Sequence, residues 1–288
     1  MTAFIKRLLA PFGAILDFIQ KYFKALLFLL ILFLLFSSSE EVLKEPNLMK
    51  LELKGVIESE EKFMQQLKEA EKDNIKGVLL VVDSPGGAVA PSIEISLAVK
   101  KLKEKKPVIA YAAGTMASGS YYASIWADKI LANPGAVIGS IGVLFQGANI
   151  KGLLDKIGIK EQTIAAGKYK QIGTMTREWK PYERAELEKI IRDTYDMFVS
   201  DVAKARGLDI NKSSQFADAH VFTARMAKKV GLIDEVSSMY DAEKELEKLS
   251  KVKNPVWKEE DKLDKLVDRI AEEGASLVFR YFFGLKAY

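Results

Sequence analysis

Residues 77–83 (GVLLVVD) run apolar without a polar break and end on Asp83-Ser84-Pro85-Gly86-Gly87. A strand with one wet face alternates apolar and polar residues. A continuous apolar run of this length, stopped by a turn signal, fits a parallel strand covered on both faces. The flanking pattern agrees. Residues 51–57 read as a strand and 58–76 as a charged amphipathic helix, followed by a helix over 91–105 with Pro91 tolerated in its first turn. A strand over 108–112, a helix over 119–127 and short strands over 130–132 and 137–145 come next, the last two set around Asn133-Pro134-Gly135. Residues 181–206 predict a long helix stopped by Gly207. Residues 221–223, a short helix through Val230 and residues 231–236 close the unit. Strand–helix alternation of this kind predicts an α/β fold with a mainly parallel sheet.

Composition removes whole classes of chemistry. With 49% apolar and 28% charged residues, bulk disorder is excluded. The chain has no cysteine, which excludes disulfides, thiolate-bound zinc, iron–sulfur clusters and a thiol nucleophile. The single histidine, His220, excludes an all-histidine metal site in one chain. Neither a metal nor another cofactor is expected. A net charge of +4 is too small to argue for nucleic acid, and no nucleic-acid-binding signature accompanies it.

Residues 25–36 (ALLFLLILFLLF) form the densest apolar run. Twelve residues fall short of the ~20 that span a bilayer. Phe18, Ile19, Tyr22 and Phe23 extend the run to spanning length, with Lys21 and Lys24 able to snorkel. Lys6, Arg7, Lys21 and Lys24 lie before the run, and Glu40, Glu41 and Glu45 after it, so the basic side reads as cytoplasmic. The expected organisation is a cytoplasmic or juxtamembrane segment (1–24), an overlapping transmembrane anchor (18–39), a linker (40–48), the main domain (49–250) and a charged helix with an aromatic tail (251–288). Phe4, Leu8, Phe12, Ile15, Leu16 and Ile19 recur at helical spacing, interrupted at Pro11, and fit the inner leaflet. A signal peptide cleaved near Ser37 or Ser39 is the alternative. Either reading puts the main domain outside the cytoplasm. The tail residues Phe279, Tyr281, Phe282 and Phe283 need burial on the domain, on a neighbouring subunit, at the membrane or in a substrate groove.

Three stretches carry potential chemistry. The first is Asp83-Ser84-Pro85-Gly86-Gly87, read as a turn, whose glycines free backbone N–H groups to face a carbonyl oxygen. The second is residues 114–122 (GTMASGSYY), which place Ser118 between a strand and a helix, as a nucleophile or as a plain helix cap. The third is residues 167–173 (GKYKQIG), after a strand-like 162–165. A serine nucleophile needs a base, and with one histidine in the chain lysine is the other candidate. A lysine serves only if its pKa falls from ~10.4 to roughly 7–8, which takes a dry, rigid site at a cost of about 4 kcal/mol.

Together with residues 132–143 (ANPGAVIGSIGV) and 222–236 (FTARMAKKVGLIDEV), these stretches resemble, in order, the signal peptide peptidase A family of serine–lysine peptidases, the short S49 type. The resemblance runs from about Leu51 to Val236. It implies a ClpP/crotonase-like fold, Ser118 as nucleophile and Lys170 as general base. It also implies Ser140 as the hydroxyl that orients the lysine, and the amides of Gly87 and Gly119 as the oxyanion hole. In the short-form family, serine and lysine come from adjacent subunits, which implies a homo-oligomeric ring. Peptide substrates, above all cleaved signal peptides, and a bacterial inner-membrane location with the catalytic domain outside follow from the same likeness. The sequence departs from the family at Ser120, where glycine is usual, which leaves open which serine is acylated. Lys168 is the rival base.

Other features carry less. Ser118, Asp218 and His220 stand in the order of an α/β-hydrolase triad, but Gly114 lies four residues before Ser118 where that motif needs two. Tyr121, Tyr122 and Trp126 read as core, and residues 100–106 as a solvated helix end. Two other functions compete with the peptidase: a crotonase-like acyl-CoA enzyme and a non-catalytic membrane-anchored scaffold.

Overall fold

The structure is a computed structural model that describes residues 18–30, 32 and 45–258. The chain divides into two compact units, Met1–Glu45 and Pro46–Tyr288. In the first, residues 18–30 and 32 are helical. Among the described residues no helix is long and apolar enough to cross a membrane. The rest of the expected anchor, residues 1–17, the Ser37/Ser39 cleavage alternative and the tail at Phe279, Tyr281, Phe282 and Phe283 lie outside the described residues.

The second unit runs β1 (Leu48–Ile57), α1 (Glu61–Ala70), β2 (Gly77–Gly87), α2 (Val89–Lys105), β3 (Val108–Ala117), α3 (Gly119–Ser124), β4 (Lys129–Ala132) and β5 (Val137–Gly139). It continues with α4 (Lys151–Lys156), α5 (Pro181–Arg206), a 3-10 turn (Ile210–Gln215), β6 (Val221–Thr223), α6 (Ala224–Lys229), β7 (Glu235–Val236) and α7 (Met239–Leu249). The sheet order is β1-β2-β3-β4-β7, and β5 pairs with both β3 and β6. All pairs are parallel except β5–β6. The expected α/β fold with a mainly parallel sheet is present.

The apolar run of β2 is explained by what covers it. Val78, Leu80 and Val82 enter the larger core with Leu67 of α1 and Ile95, Val99 and Leu102 of α2. Leu79 and Val81, pointing the other way, enter a second core with Tyr111 and with Leu246 of α7. Neither face of the strand meets water, so neither needs a polar residue.

Several boundaries differ from expectation. The turn expected at residues 84–87 is a continuation of β2. Val56 and Ile57 pair with Gly86 and Gly87 after a register shift, and Ser84 pairs with Met116. Neighbouring strands on both sides take up this stretch, which a local turn signal cannot reveal. β3 likewise runs to Ala117 instead of stopping at residue 112. The strand expected over 137–145 is paired only as far as Gly139, and residues 162–165 form no strand. The helices expected over 58–76 and 119–127 are shorter, ending at Ala70 and Ser124.

From Lys251 to Lys258 the chain stays on this domain. Trp257 pairs in parallel with Leu48, and Asn47 and Leu48 donate backbone N–H groups to Val256 O at 2.8 and 3.1 Å. The Asn47 amide donates to Asn254 O and accepts from Val256 N–H, both at 2.8 Å. Trp257 packs on the second core. The start and the described end of the domain are thus stitched together, and the first residues of edge strand β1 are covered.

Candidate active site

The site forms where β2 and β3 end side by side. Asp83 Oδ1 accepts Thr115 N–H at 2.8 Å, which ties the two strand ends together. One step further, Ser118 has φ 52° and ψ −124°. A non-glycine residue held there stores about 1–3 kcal/mol of strain, which the surroundings must over-determine. They do: Ser118 N–H donates to Gly139 O at 2.8 Å, and Ser118 O accepts Tyr122 N–H at 3.0 Å. All six residues of α3, which follows directly, are buried. The Ser118 side chain makes no capping hydrogen bond to this helix, so the plain-cap reading does not describe it.

Ser140 lies beside Ser118. Ala117 pairs with Gly139 across β3 and β5, so the two serines occupy the next step on adjacent strands, and Ser140 bends at the same point with φ 50°. Ser140 N–H donates to His220 O at 2.7 Å, and Ala219 N–H to Ile141 O at 2.9 Å. The 219–220 turn therefore braces the Ser140 strand with its backbone. His220 itself is exposed, with its ring 6.2 Å from that of Phe222.

Gly87 and Gly119 face one cavity. A Cβ on Gly119 would lie 2.2 Å from Ser92 Oγ and 3.4 Å from Gly87 N, and one on Gly87 would lie 2.1 Å from Ile57 O. Both positions exclude any side chain, and the two glycine backbones approach closely at the cavity.

The cavity is small and partly open to solvent. Ser118, Gly87 and Gly119 line it with Val89, Ser92 and Ile93 of α2, Tyr122 of α3, Gly142 and Val143, and Thr194, Met197 and Phe198 of α5. Tyr122 packs edge-on against Phe198 with ring centroids 4.7 Å apart, and its hydroxyl donates to the Asp201 carboxylate. Burial, reinforced by that carboxylate, pushes the Tyr122 phenol well above its usual range, so the group stays neutral. Tyr122 is thus both core and cavity wall, which corrects its reading as core alone. Tyr121 is pure core, with its hydroxyl donating to Leu232 O at 2.8 Å. The contributions of α2 and α5 left no local signal. Their apolar residues repeat as in any packed helix, and only the tertiary arrangement turns one row toward Ser118.

Ser120 is wholly buried. Its hydroxyl donates to Ser84 O at 2.6 Å and accepts Ala117 N–H at 2.9 Å. It staples the strand end that carries the glycines to the one that carries Ser118, and faces no cavity.

The two lysines lie in residues 167–176, a run of turns. Lys170 is exposed and is not among the residues that line the cavity. Lys168 lies over the rings of Tyr169 and Tyr182, at 5.3 and 4.8 Å from their centroids. One chain therefore brings Ser118, Ser140, Gly87 and Gly119 together and leaves both lysines elsewhere. These turns rest on α5 through Glu183, whose buried carboxylate takes two hydrogen bonds from Arg177 and one from Lys180 N–H, all at 2.8 Å. The Arg177 guanidinium, aided by that amide, pulls the Glu183 pKa from 4.5 to about 2. A carboxylate held below its unfolded value adds stability above pH 4.5, and that contribution fades as pH falls toward about 2. The urea midpoint of wild type should therefore exceed that of Glu183→Gln near neutrality, and the gap should close below pH 4.5.

No group of three or more potential metal ligands occurs among the described residues.

Comparisons with known proteins identify the family. The profile of peptidase family S49 matches residues 100–253. A protein of Methanocaldococcus jannaschii described as a protease is 45% identical over 194 residues, which cover 67% of this chain and 62% of that protein. A protein of Enterococcus faecium described as a signal peptide peptidase, SppA, is 34% identical over 235 residues, covering 74% of this chain and 68% of its own length. Among solved structures, the 1510-N membrane-bound stomatin-specific protease in complex with a substrate peptide superposes with a TM-score of 0.50 and 20% identity, over 80% of this chain and 100% of that one. That likeness speaks for the fold alone. The profile match takes in Ser118, Ser140 and both lysines, and the relatives carry the similarity across most of the domain: the chain belongs to peptidase family S49.

Proposed function

We propose that the protein is a membrane-anchored serine endopeptidase of ClpP/crotonase-like fold that works outside the cytoplasm and degrades short apolar peptides, cleaved signal peptides first among them. One observation carries the reading. A serine held at φ 52°, with a side chain that caps nothing, opens onto an apolar cavity between two glycines that admit no side chain. Ser118 Oγ attacks the scissile carbonyl while a neutral Lys170 takes its proton and Ser140 orients the amine. The Gly87 and Gly119 N–H groups receive the oxyanion. The protonated lysine gives its proton to the leaving amine, and water then releases the acyl group from Ser118. No metal or cofactor takes part. Family membership favours this reading over an acyl-CoA enzyme or an inert scaffold.

Lys170 comes from a neighbouring copy in this reading. Glu183, which supports the lysine-bearing turns, and Met197, which lines the cavity, are separated by fourteen residues of one helix, or roughly 21 Å at 1.5 Å per residue. A heterologous interface that closes into a ring would bridge that span. Leu144, Leu153, Ile157, Ile159 and Ile164 are exposed in the single chain, and α4 buries none of its residues, as expected of a segment that packs on another copy.

Treatment with a serine-reactive phosphonate, followed by mass spectrometry, tests the nucleophile. The expected result is one adduct, on Ser118. An intact enzyme left unlabelled while it still cleaves peptide would overturn the assignment. Gly119→Ala should lower kcat by about 10²–10³-fold, because the added methyl displaces the oxyanion donors. Turnover of a fluorogenic apolar peptide measures it.

A further inference from the structure

The turns that carry Lys170 have little of their own to hold them. Lys170 N–H donates to Gly167 O, Ile172 N–H to Tyr169 O and Thr174 N–H to Gln171 O, each at 3.2 Å. Bonds this long and this local leave most of the ordering cost, about 1–2 kcal/mol per residue, to be met from outside. Catalytic groups need placement to within ~0.5 Å.

Arg177 supplies a tie to a rigid element. Its guanidinium forks onto both oxygens of Glu183 at 2.8 Å, donates to Glu178 O at 2.9 Å and reaches Gln171 Oε1 at 3.1 Å. Glu183, in the first turn of α5, has no exposed surface. Glu183 is buried, but 27% of the Arg177 side chain stays exposed, and a lysine there would supply the same charge. What only this pair provides is a planar fork that meets several acceptors at fixed angles, and one of these belongs to the residue next to Lys170.

We propose that Arg177 and Glu183 are positioning residues for the peptidase reaction: the pair orients Gln171, and through it sets the position of Lys170 for the neighbouring copy's Ser118. The inference rests on Lys170 being the base. Other titratable groups border this node: Glu161, which accepts from Thr163 and Thr176; Lys180 and Tyr182 at the start of α5; and Lys168 over the Tyr182 ring. Tyr182 ties the loop to α5 on the other side of Lys170, its hydroxyl donating to Lys168 O at 3.2 Å, whereas the link to Gln171 is a single hydrogen bond that one substitution can remove.

The test uses the full chain in its native assembly and follows kcat and KM on an apolar peptide between pH 6 and 10. Gln171→Met removes the acceptor and leaves the Arg177–Glu183 pair in place. Arg177→Lys keeps the charge and loses the fork. Both should lower kcat near neutral pH by about 10–100-fold, with KM changed less than about threefold. Gln171→Met should unfold at the wild-type temperature, which separates misplacement from misfolding. A wild-type kcat in Gln171→Met, or a loss carried mainly by a raised KM, overturns the inference. Lys170→Ala is run alongside. If it stays active, the underlying reading of the base has failed; if it is inactive while Gln171→Met behaves as wild type, the positioning role alone has failed.

Discussion

Ser118→Ala should abolish peptidase activity, by at least about 10⁴-fold, and leave thermal unfolding unchanged, whereas Ser120→Ala should do the reverse. Ser118 lines the cavity and has no capping role, so in the proposed mechanism its loss removes the attacking atom while breaking no hydrogen bond that supports the fold. The Ser120 hydroxyl is buried between Ser84 O and Ala117 N–H. Its removal leaves a carbonyl and an amide unpaired in the interior, at a cost of about 1–3 kcal/mol. For a domain of this size that lowers the midpoint by about 2–10 °C. Below the transition, the Ser120→Ala protein should keep activity within about tenfold of wild type, since the hydroxyl faces no substrate. Calorimetry beside steady-state turnover checks both halves. An inactive, fully stable Ser120→Ala protein would shift the nucleophile to that serine.

Two inactive chains should make an active enzyme. Ser118→Ala and Lys170→Ala are each expected to be dead alone. Co-expressed in equal amounts, they should recover about a quarter of wild-type activity, because a working site then needs an intact serine from one copy beside an intact lysine from the next. The basis is the distance along α5 between the Glu183 support and the cavity wall, together with the absence of Lys170 from the residues lining the cavity. If serine and lysine met within one chain, every mixed assembly would stay dead. Complementation thus reports where the base comes from, and activity of the single variants reports whether these two residues matter at all.

How much of this was legible beforehand varies element by element. The core strand β2 was, because burial on both faces writes itself as a run of apolar residues that nothing else explains. The long helix α5 was too, with Pro181 at its start and Gly207 at its end. The 84–87 stretch was misread, because Pro and Gly signal turns locally and the neighbours that keep it extended are 30 residues away on either side in sequence. At the site, motif likeness pointed to Ser118, Ser140, Gly87 and Gly119, four residues that the fold brings near one another. Tyr122, Met197 and Phe198 were hidden, since facing a cavity and facing the core demand the same largely apolar side chains. The role of Ser120 as a staple was hidden for a different reason: a hydroxyl's partners are backbone atoms, and backbone atoms leave no mark on the sequence.

What the amino-acid order determined alone is the layered α/β arrangement and the family to which the chemistry belongs, since both rest on local runs and ordered motifs. Only the tertiary structure decided that Ser118 is bent out of its strand beside Ser140, that Ser120 is occupied elsewhere, and that Lys170 is absent from its own chain's cavity. The physical reason is that strain, hydrogen-bond partnership and reach are properties of atoms brought together across long stretches of chain, and no local pattern of residues encodes them.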